Sequence, residues 1–384
     1  MTPYGAAARG LWRLAPGVAY LNHGGYGATP VAVLAAQDEW RARAERNPTA
    51  FLSRELPPLL RAAADEVAAA LGARGEDLVF VENATAGVNA VLRSLRLAPG
   101  DELLLPGLAY PAIRNAARFA AEAAGARLVE VALPLPVRDG RAVLDAVAAR
   151  LGDRTRLAIF DHIGSASALL LPVQALTALA HEAGARVLID GAHAPGQVAL
   201  DLAALGADWY VGNLHKWYFA PRGCGFLWAA PEAQAALHPL AISHGLGAGF
   251  AAEFDWTGTR DFSNCLAAPA GLAFHRRLGG AALMARNVAL AQDAAALLAR
   301  DWGTEAAGPP EMRAAMATVR LPVGGEAGPE RVRRIQAWLA ETHRIEAAVM
   351  AEGGALWLRV AAQAYNEPGE YARLAEAIRT GPVP

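Results

Sequence analysis

The chain has 384 residues, of which 54% are hydrophobic and 19% charged, and a formal net charge of −2. This length and composition describe a globular protein with room for two domains and exclude a disordered chain. The near-neutral balance without a basic block argues against a nucleic-acid binder, and no apolar run reaches the ~20 residues of a membrane helix.

Met1 to Tyr20 carries Arg9 and Arg13 but no continuous apolar stretch, so no signal peptide is expected there. From about Asp77 the chain alternates between β-rich runs and alanine-rich helical stretches. The predicted strands are 77–81, 102–105, 127–131, 156–160, 186–189, 209–211 and 225–228. Helices are predicted over 87–96, 111–124, 144–151 and 173–183. Strand–helix alternation of this kind implies a mainly parallel, seven-stranded sheet with helices on both faces. Polar residues collect where such strands end: Glu82 and Asn83, Asp161 and His162, Asp190, Asn213. Ligands of open α/β sheets bind at the strands' carboxyl ends. One long helix is predicted over 269–300. Strands at 315–321, 344–350 and 355–360, with helices at 329–342 and 368–379, follow as a smaller α+β domain. Cys224 and Cys265 are too few for a disulfide framework and lack zinc-ligand spacing, so a reducing cytoplasm is expected.

Every one of the 35 basic residues except Lys216 is arginine. Arginine serves any salt bridge, but it is effectively never deprotonated, whereas a lysine amine can become a neutral base or nucleophile. Asp190 ends an apolar strand, and Lys216 follows another in Asn213–Trp217. Alone, the two would equally make a buried salt bridge. Asn83-Ala84-Thr85 opens a helix with small residues, an ordinary N-cap or a set of amide donors for a phosphate. Together the three segments match a pyridoxal phosphate (PLP) site, which needs an amine, an acid at the pyridine nitrogen and donors for the phosphate.

Seven segments carry a family resemblance in the family's order: Tyr20–Ala28, Asn83–Thr85, Asp161–Ile163, Asp190–Gly196, Asn213–Trp217, Trp256–Asp261 and Leu358–Asn366. On these the chain resembles the class V aminotransferases of the fold-type I PLP enzymes, closest to the isopenicillin-N-epimerase-like branch. The resemblance implies an N-terminal segment (1–24) packing near the active site, a large PLP-binding domain (25–275) and a small C-terminal domain (276–384). It implies that Lys216 forms a Schiff base with the cofactor, that Asp190 pairs with the pyridine nitrogen, and that His193 lies at the ring's O3′ edge. Asn83, Ala84, Thr85 and His215 would serve the phosphate, and Tyr110 would stack on the ring. A homodimer is implied, with Gly258 and Thr259 reaching the partner's phosphate. Arg359 would bind the substrate's α-carboxylate as a forked pair. Asn22 and His23 either cap a turn or approach the substrate. His162 is either a core histidine or a second acid/base.

Lys216 is then the natural base for the Cα proton. Epimerisation also needs a proton donor on the opposite face, with His162, Tyr110 and His23 as candidates. β-Elimination of a C–S bond needs a leaving group and at most one further acid, and transamination is the third outcome. Residues 343–357, before Arg359, contain no cysteine, which disfavours persulfide transfer. A non-catalytic PLP-fold binding protein is a different class, opposed by the completeness of Asp190, Lys216, Thr85 and Arg359. A nucleotide-binding oxidoreductase would want GxGxxG where Asn83–Gly87 stands.

Overall fold

The strands are β1 (Ala19–Tyr20), β2 (Leu78–Val81), β3 (Glu102–Pro106), β4 (Arg127–Val131), β5 (Thr155–Asp161), β6 (Arg186–Gly191), β7 (Trp209–Asn213), β8 (Gly225–Ala229), β9 (Met316–Arg320), β10 (Ile345–Glu346), β11 (Ala348–Glu352) and β12 (Ala355–Ala361). They are drawn from a computed structural model that describes residues 4–384. The first three residues of the predicted N-terminal segment lie outside the described part.

The seven apolar runs read from the sequence form one seven-stranded sheet in the order β2-β8-β7-β6-β5-β3-β4. Every neighbouring pair from β7 to β4 is parallel, and β8 alone runs against its two neighbours. The interior strands β3, β7 and β8 are buried at every residue, as expected where helices cover both faces. The edge strand β4 alternates in exposure instead. Helices Ala84–Ser94, Pro111–Ala124, Gly140–Ala148 and Val173–Glu182 lie between successive strands. The strand order turns back on itself between β3 and β5. Such a switch point leaves a crevice at the carboxyl ends of the strands.

A second, antiparallel sheet has the order β11-β12-β9. Helices Ala281–Trp302, Pro329–His343 and Pro368–Thr380 pack with it and close a second apolar core. Leu21, fully buried, belongs to that core although it lies near the opposite end of the chain. The reason is backbone pairing. β1 runs parallel to β10, the Leu21 carbonyl accepts from Ala361 N at 2.7 Å, and Leu21 N donates to Glu346 O at 2.9 Å.

Two expectations need correction. The helix predicted over 269–300 is two helices, Ala268–Arg277 and Ala281–Trp302, separated at Leu278-Gly279-Gly280. Gly279 (φ +117°) and Gly280 (φ +55°) leave the helical region there, and the Leu278 carbonyl accepts the Tyr4 hydroxyl at 2.7 Å. The strand predicted over 344–350 is likewise two, because β10 turns to β1 while β11 turns to β12. At Gly279 an added Cβ would also stand 2.9 Å from the Tyr4 hydroxyl. Gly279→Ala is therefore expected to destabilise the fold by about 1 kcal/mol or more. A lowered urea midpoint at unchanged slope would show it; an unchanged midpoint contradicts this account of the helix break.

Candidate active site

A cavity of about 650 Å³ opens at the carboxyl ends of β2, β5, β6 and β7 and runs to β11 and β12. Asp190, next to last in β6, and Lys216, just beyond β7, both line it and are both buried. Lys216 Nζ lies 3.1 Å from His193 Nε2. Burial, with the charge of Arg359 adding to it and that of Asp190 opposing, lowers the Lys216 amine to about 7. A substantial neutral fraction is thus present near physiological pH. His193 is pushed well below its ordinary value by burial and by the cations Lys216 and Arg359. It is neutral, and its Nδ1 is buried without a partner.

Asp190 Oδ1 accepts from Ala192 N at 2.9 Å. In the β5–β6 register Asp190 is paired with Asp161, which also lines the cavity. Burial raises both carboxyls, and the charge of Asp190 raises Asp161 further, while the Ala192 N–H and Lys216 pull Asp190 back down. Two adjacent buried carboxylates cannot both ionise cheaply, so Asp161 holds the proton and Asp190 the charge. The sequence reading noted Asp161 at a strand end but gave it no role. Its pairing with Asp190 depends on register, which no local pattern reports.

At the far wall, helix Ala84–Ser94 points its first turn into the cavity. Asn83 caps it through Ala86 N at 2.9 Å. Ala84 N donates to Asn213 Oδ1, also at 2.9 Å. The amide expected to serve a phosphate at Ala84 is thus already taken, which leaves Thr85 at this end of the helix. Asn213, marked in the sequence only as a strand-end residue, sets that geometry. His215 Nδ1 bonds the Cys224 carbonyl at 3.0 Å, so Nδ1 carries the proton and Nε2 is the free nitrogen. Burial and the neighbouring cations lower His215 to about 4. An anion beside it would favour the protonated, donating form.

Arg359 sits on β12 at the opposite wall and is 5% exposed. Nη2 donates to Asn22 Oδ1 at 2.9 Å, Nη1 donates to the Ser165 carbonyl, and Nε is buried without a partner. Burial lowers its pKa to about 10, so it remains a cation at neutral pH. Tyr110, at the start of helix Pro111–Ala124, is 44% exposed on the cavity wall. Tyr26, Ser165, Gln336 and Met350 also line the cavity and carried no distinguishing signal in the sequence.

Two expected residues lie elsewhere. His162 does not line the cavity; its Nδ1 bonds the Tyr210 hydroxyl at 2.9 Å and burial lowers it to about 4, which makes it a neutral core histidine. His23, fully buried, turns away from the substrate side, with Nδ1 on the Tyr365 hydroxyl at 2.8 Å and Nε2 on the Lys216 carbonyl at 2.9 Å. For His162 the hydrogen bonds select the core reading; for His23 they select neither the turn cap nor the approach to the substrate. Gly258 and Thr259, expected to reach a partner's phosphate, do not line this chain's own cavity. Thr259 borders a separate recess with Trp40, Arg41 and Asp261.

The residues present suit PLP. The cavity volume is that of a small-molecule site. A buried amine, an ionised carboxyl and a helix start with Thr85 surround it, and the unpartnered His193 Nδ1 and Arg359 Nε mark donors or acceptors that no protein group satisfies. No cluster suited to a metal occurs among the described residues, nor any helix long and apolar enough to cross a membrane.

Comparison with known proteins agrees. The family profile for aminotransferase class-V matches residues 19–333. The chain is 32% identical over 392 residues to a probable chloroplastic L-cysteine desulfhydrase of Arabidopsis thaliana, covering 94% of this chain and 82% of that one. It is 35% identical over 389 residues to the isopenicillin N epimerase of Streptomyces clavuligerus, covering 97% and 96%. The solved cystine C–S lyase C-DES superposes with a TM-score of 0.81 at 21% identity, covering 96% and 99%. A variant of it carries glycine covalently linked to PLP (TM-score 0.80, 21% identity, 95% and 97% covered).

Because Lys216 is the one lysine, its amine can be followed by labelling. Modification of apoprotein by an amine-reactive acylating reagent, read at Lys216 by peptide mapping, is expected to rise through a midpoint near 7, the value to which burial lowers it. The neutral amine is the reacting form, so the rate rises with pH. A midpoint near that of a free lysine would contradict the desolvated setting.

Proposed function

The chain belongs to the class V aminotransferase family, and on that premise we propose that it is a PLP-dependent enzyme that eliminates the sulfur substituent of an S-substituted cysteine or of cysteine itself. When bound, PLP withdraws electrons from Cα and so makes its proton removable. Asp190 would face the ring nitrogen as the ionised member of the carboxyl pair, and Thr85 the phosphate. Arg359, with Nε still free, would take the α-carboxylate. Lys216 would take the Cα proton, its amine being poised near neutrality. The C–S electron pair then leaves with sulfur as a thiolate. The dehydroamino acid left behind hydrolyses to pyruvate and ammonia.

The observation that carries this reading is that neither histidine expected as a second acid/base, His162 or His23, faces the cavity. Lys216 lines the cavity, whereas His162 and His23 hold their ring nitrogens on Tyr210, Tyr365 and the Lys216 carbonyl. Elimination needs one base; two-base epimerisation needs a second. One observation favours epimerisation as the second reading: the Tyr110 phenol is exposed on the cavity wall and is a candidate donor for the opposite face. The relatives carry both names at similar identity.

The same reading takes the protein as a cytoplasmic homodimer. Its support is that Thr259 borders a recess apart from Lys216, and that Leu240, Ile242 and Leu246 stand exposed on the loop before it.

Incubation of the holoenzyme with cysteine, cystine and S-alkyl cysteines, following pyruvate, Cα–deuterium exchange and enantiomer composition together, tests the proposal. Pyruvate in step with thiol release is expected. Enantiomer conversion without pyruvate would replace elimination by epimerisation. Arg359→Leu should lower kcat/KM by about tenfold to a hundredfold, as loss of a charge-assisted pair does, mainly through KM.

A further inference from the structure

Leu21 to Gly27 connect parts of the site that the rest of the chain keeps far apart. The Leu21 carbonyl holds Ala361 N, two residues past Arg359. Asn22 Oδ1 accepts from Arg359 Nη2 at 2.9 Å. His23 Nε2 lies 2.9 Å from the Lys216 carbonyl. Gly24 backs onto His193, where an added Cβ would stand 3.5 Å from the ring and 2.5 Å from Met316 Sδ. A Cβ on Gly27 would stand 2.0 Å from the His215 carbonyl, so this turn lies directly on the loop that carries the lysine.

The hydrogen bonds of His23 fix its tautomer. The Lys216 carbonyl can only accept, so Nε2 carries the proton. Nδ1 is then an acceptor, and the Tyr365 hydroxyl donates to it at 2.8 Å. The ring is fully buried, with Trp217 at 4.9 Å and Phe219 at 5.7 Å packed edge-on to it. Burial, opposed by the Lys216 carbonyl and reinforced by the Arg222 and Lys216 charges, lowers it to about 3, so it is neutral wherever the protein is folded and active.

We propose that His23 is a positioning residue: in its single Nε2–H tautomer it fixes the backbone of Lys216 and, through its neighbour Asn22, sets that lysine at a constant distance from Arg359. This rests on the reading that Lys216 carries the cofactor. The role differs from substrate contact, because no atom of His23 reaches the cavity wall. A loosened Lys216 would misplace the amine without disturbing the carboxylate clamp.

Three variants separate the possibilities. The amide nitrogen of His23→Gln falls where Nε2 lies and can still donate to the Lys216 carbonyl. His23→Asn reaches only the Nδ1 position, and His23→Leu reaches neither. Asn and Leu should lower kcat on the order of tenfold to a hundredfold, as a small misplacement of a reacting group does, with KM nearly unchanged. Gln should restore most of it. In the apoproteins, the pH midpoint of Lys216 labelling should move in the Asn and Leu variants and stay in the Gln variant. Tyr365→Phe, which leaves every partner of Lys216 in place, should move both readouts in the same direction by less, and it serves if the His23 variants fold poorly. Equal behaviour of Gln and Asn, or a raised KM at constant kcat, overturns the proposal. If borohydride still fixes cofactor to a Lys216→Ala chain, the lysine reading fails instead, whatever His23 does.

Discussion

Lys216 Nζ lies 3.1 Å from His193 Nε2 inside a cavity that removes most of its water, and the charges around it are arranged in answer to that desolvation. A buried ammonium is costly, so the amine drifts towards its neutral form. His23, His162, His193 and His215 are all lowered first by burial, and for three of them the Lys216 charge lowers them further. None adds a positive charge that would drive the amine further down. Asp190 supplies the one opposing charge, and Asp161 beside it keeps its proton, so the pair carries a single negative charge. Arg359 is the permanent cation. The difference between the two basic residues follows from their chemistry: the guanidinium stays charged when buried, while the amine can give up its proton and take another.

This electrostatic balance is useful only if its members keep their distances, and they come from both sheets. The main sheet supplies Asp161, Asp190, Lys216 and the helix start at Thr85, whereas Arg359 comes from β12. The chain's first described residues span the gap. β1 adds to β10, Leu21 enters the apolar core of the smaller sheet, and the following turn lies on the Lys216 loop. Ser165 makes a second link, since its carbonyl accepts from Arg359 just beyond the end of β5. The site is therefore held from two directions, one through the N-terminal segment and one through the β5 loop.

Much of this was legible in the sequence, for identifiable reasons. A parallel sheet covered on both faces writes its strands as short apolar runs, and all seven were read within a few residues. Their polar ends marked Asn83, Asp161, Asp190 and Asn213, because a strand's carboxyl end is where the backbone leaves the core. The solitary lysine singled out its own position. What could not be read is non-local. β1 has two residues and no periodicity, so its partner β10, more than 300 positions away, leaves no trace in either segment. The direction of a buried histidine ring depends on which hydrogen-bond partners stand near it, and for His23 and His162 these are Lys216, Tyr365 and Tyr210. Ala84 was expected to offer its amide, but a side chain from β7 had claimed it.

The same division explains why the relatives are named for different reactions while sharing this framework. On the proposed reading, Asp190, Lys216, Thr85 and Arg359 would serve the binding of an amino acid and the removal of its Cα proton. They say nothing about where the electrons go next. On the same reading that choice would fall to the other side chains lining the cavity: Tyr26, Tyr110, Ser165, Ala166, Gln336 and Met350. Among them only the two tyrosines can transfer a proton, and both are substantially exposed to solvent, Tyr26 at 72% and Tyr110 at 44%. The buried lysine, lowered to about 7, exchanges a proton readily near neutrality. On the proposed reading, with Lys216 as the poised base, expulsion of a β-thiolate is the lower-demand outcome, because the sulfur leaves without a proton placed on the far face of Cα.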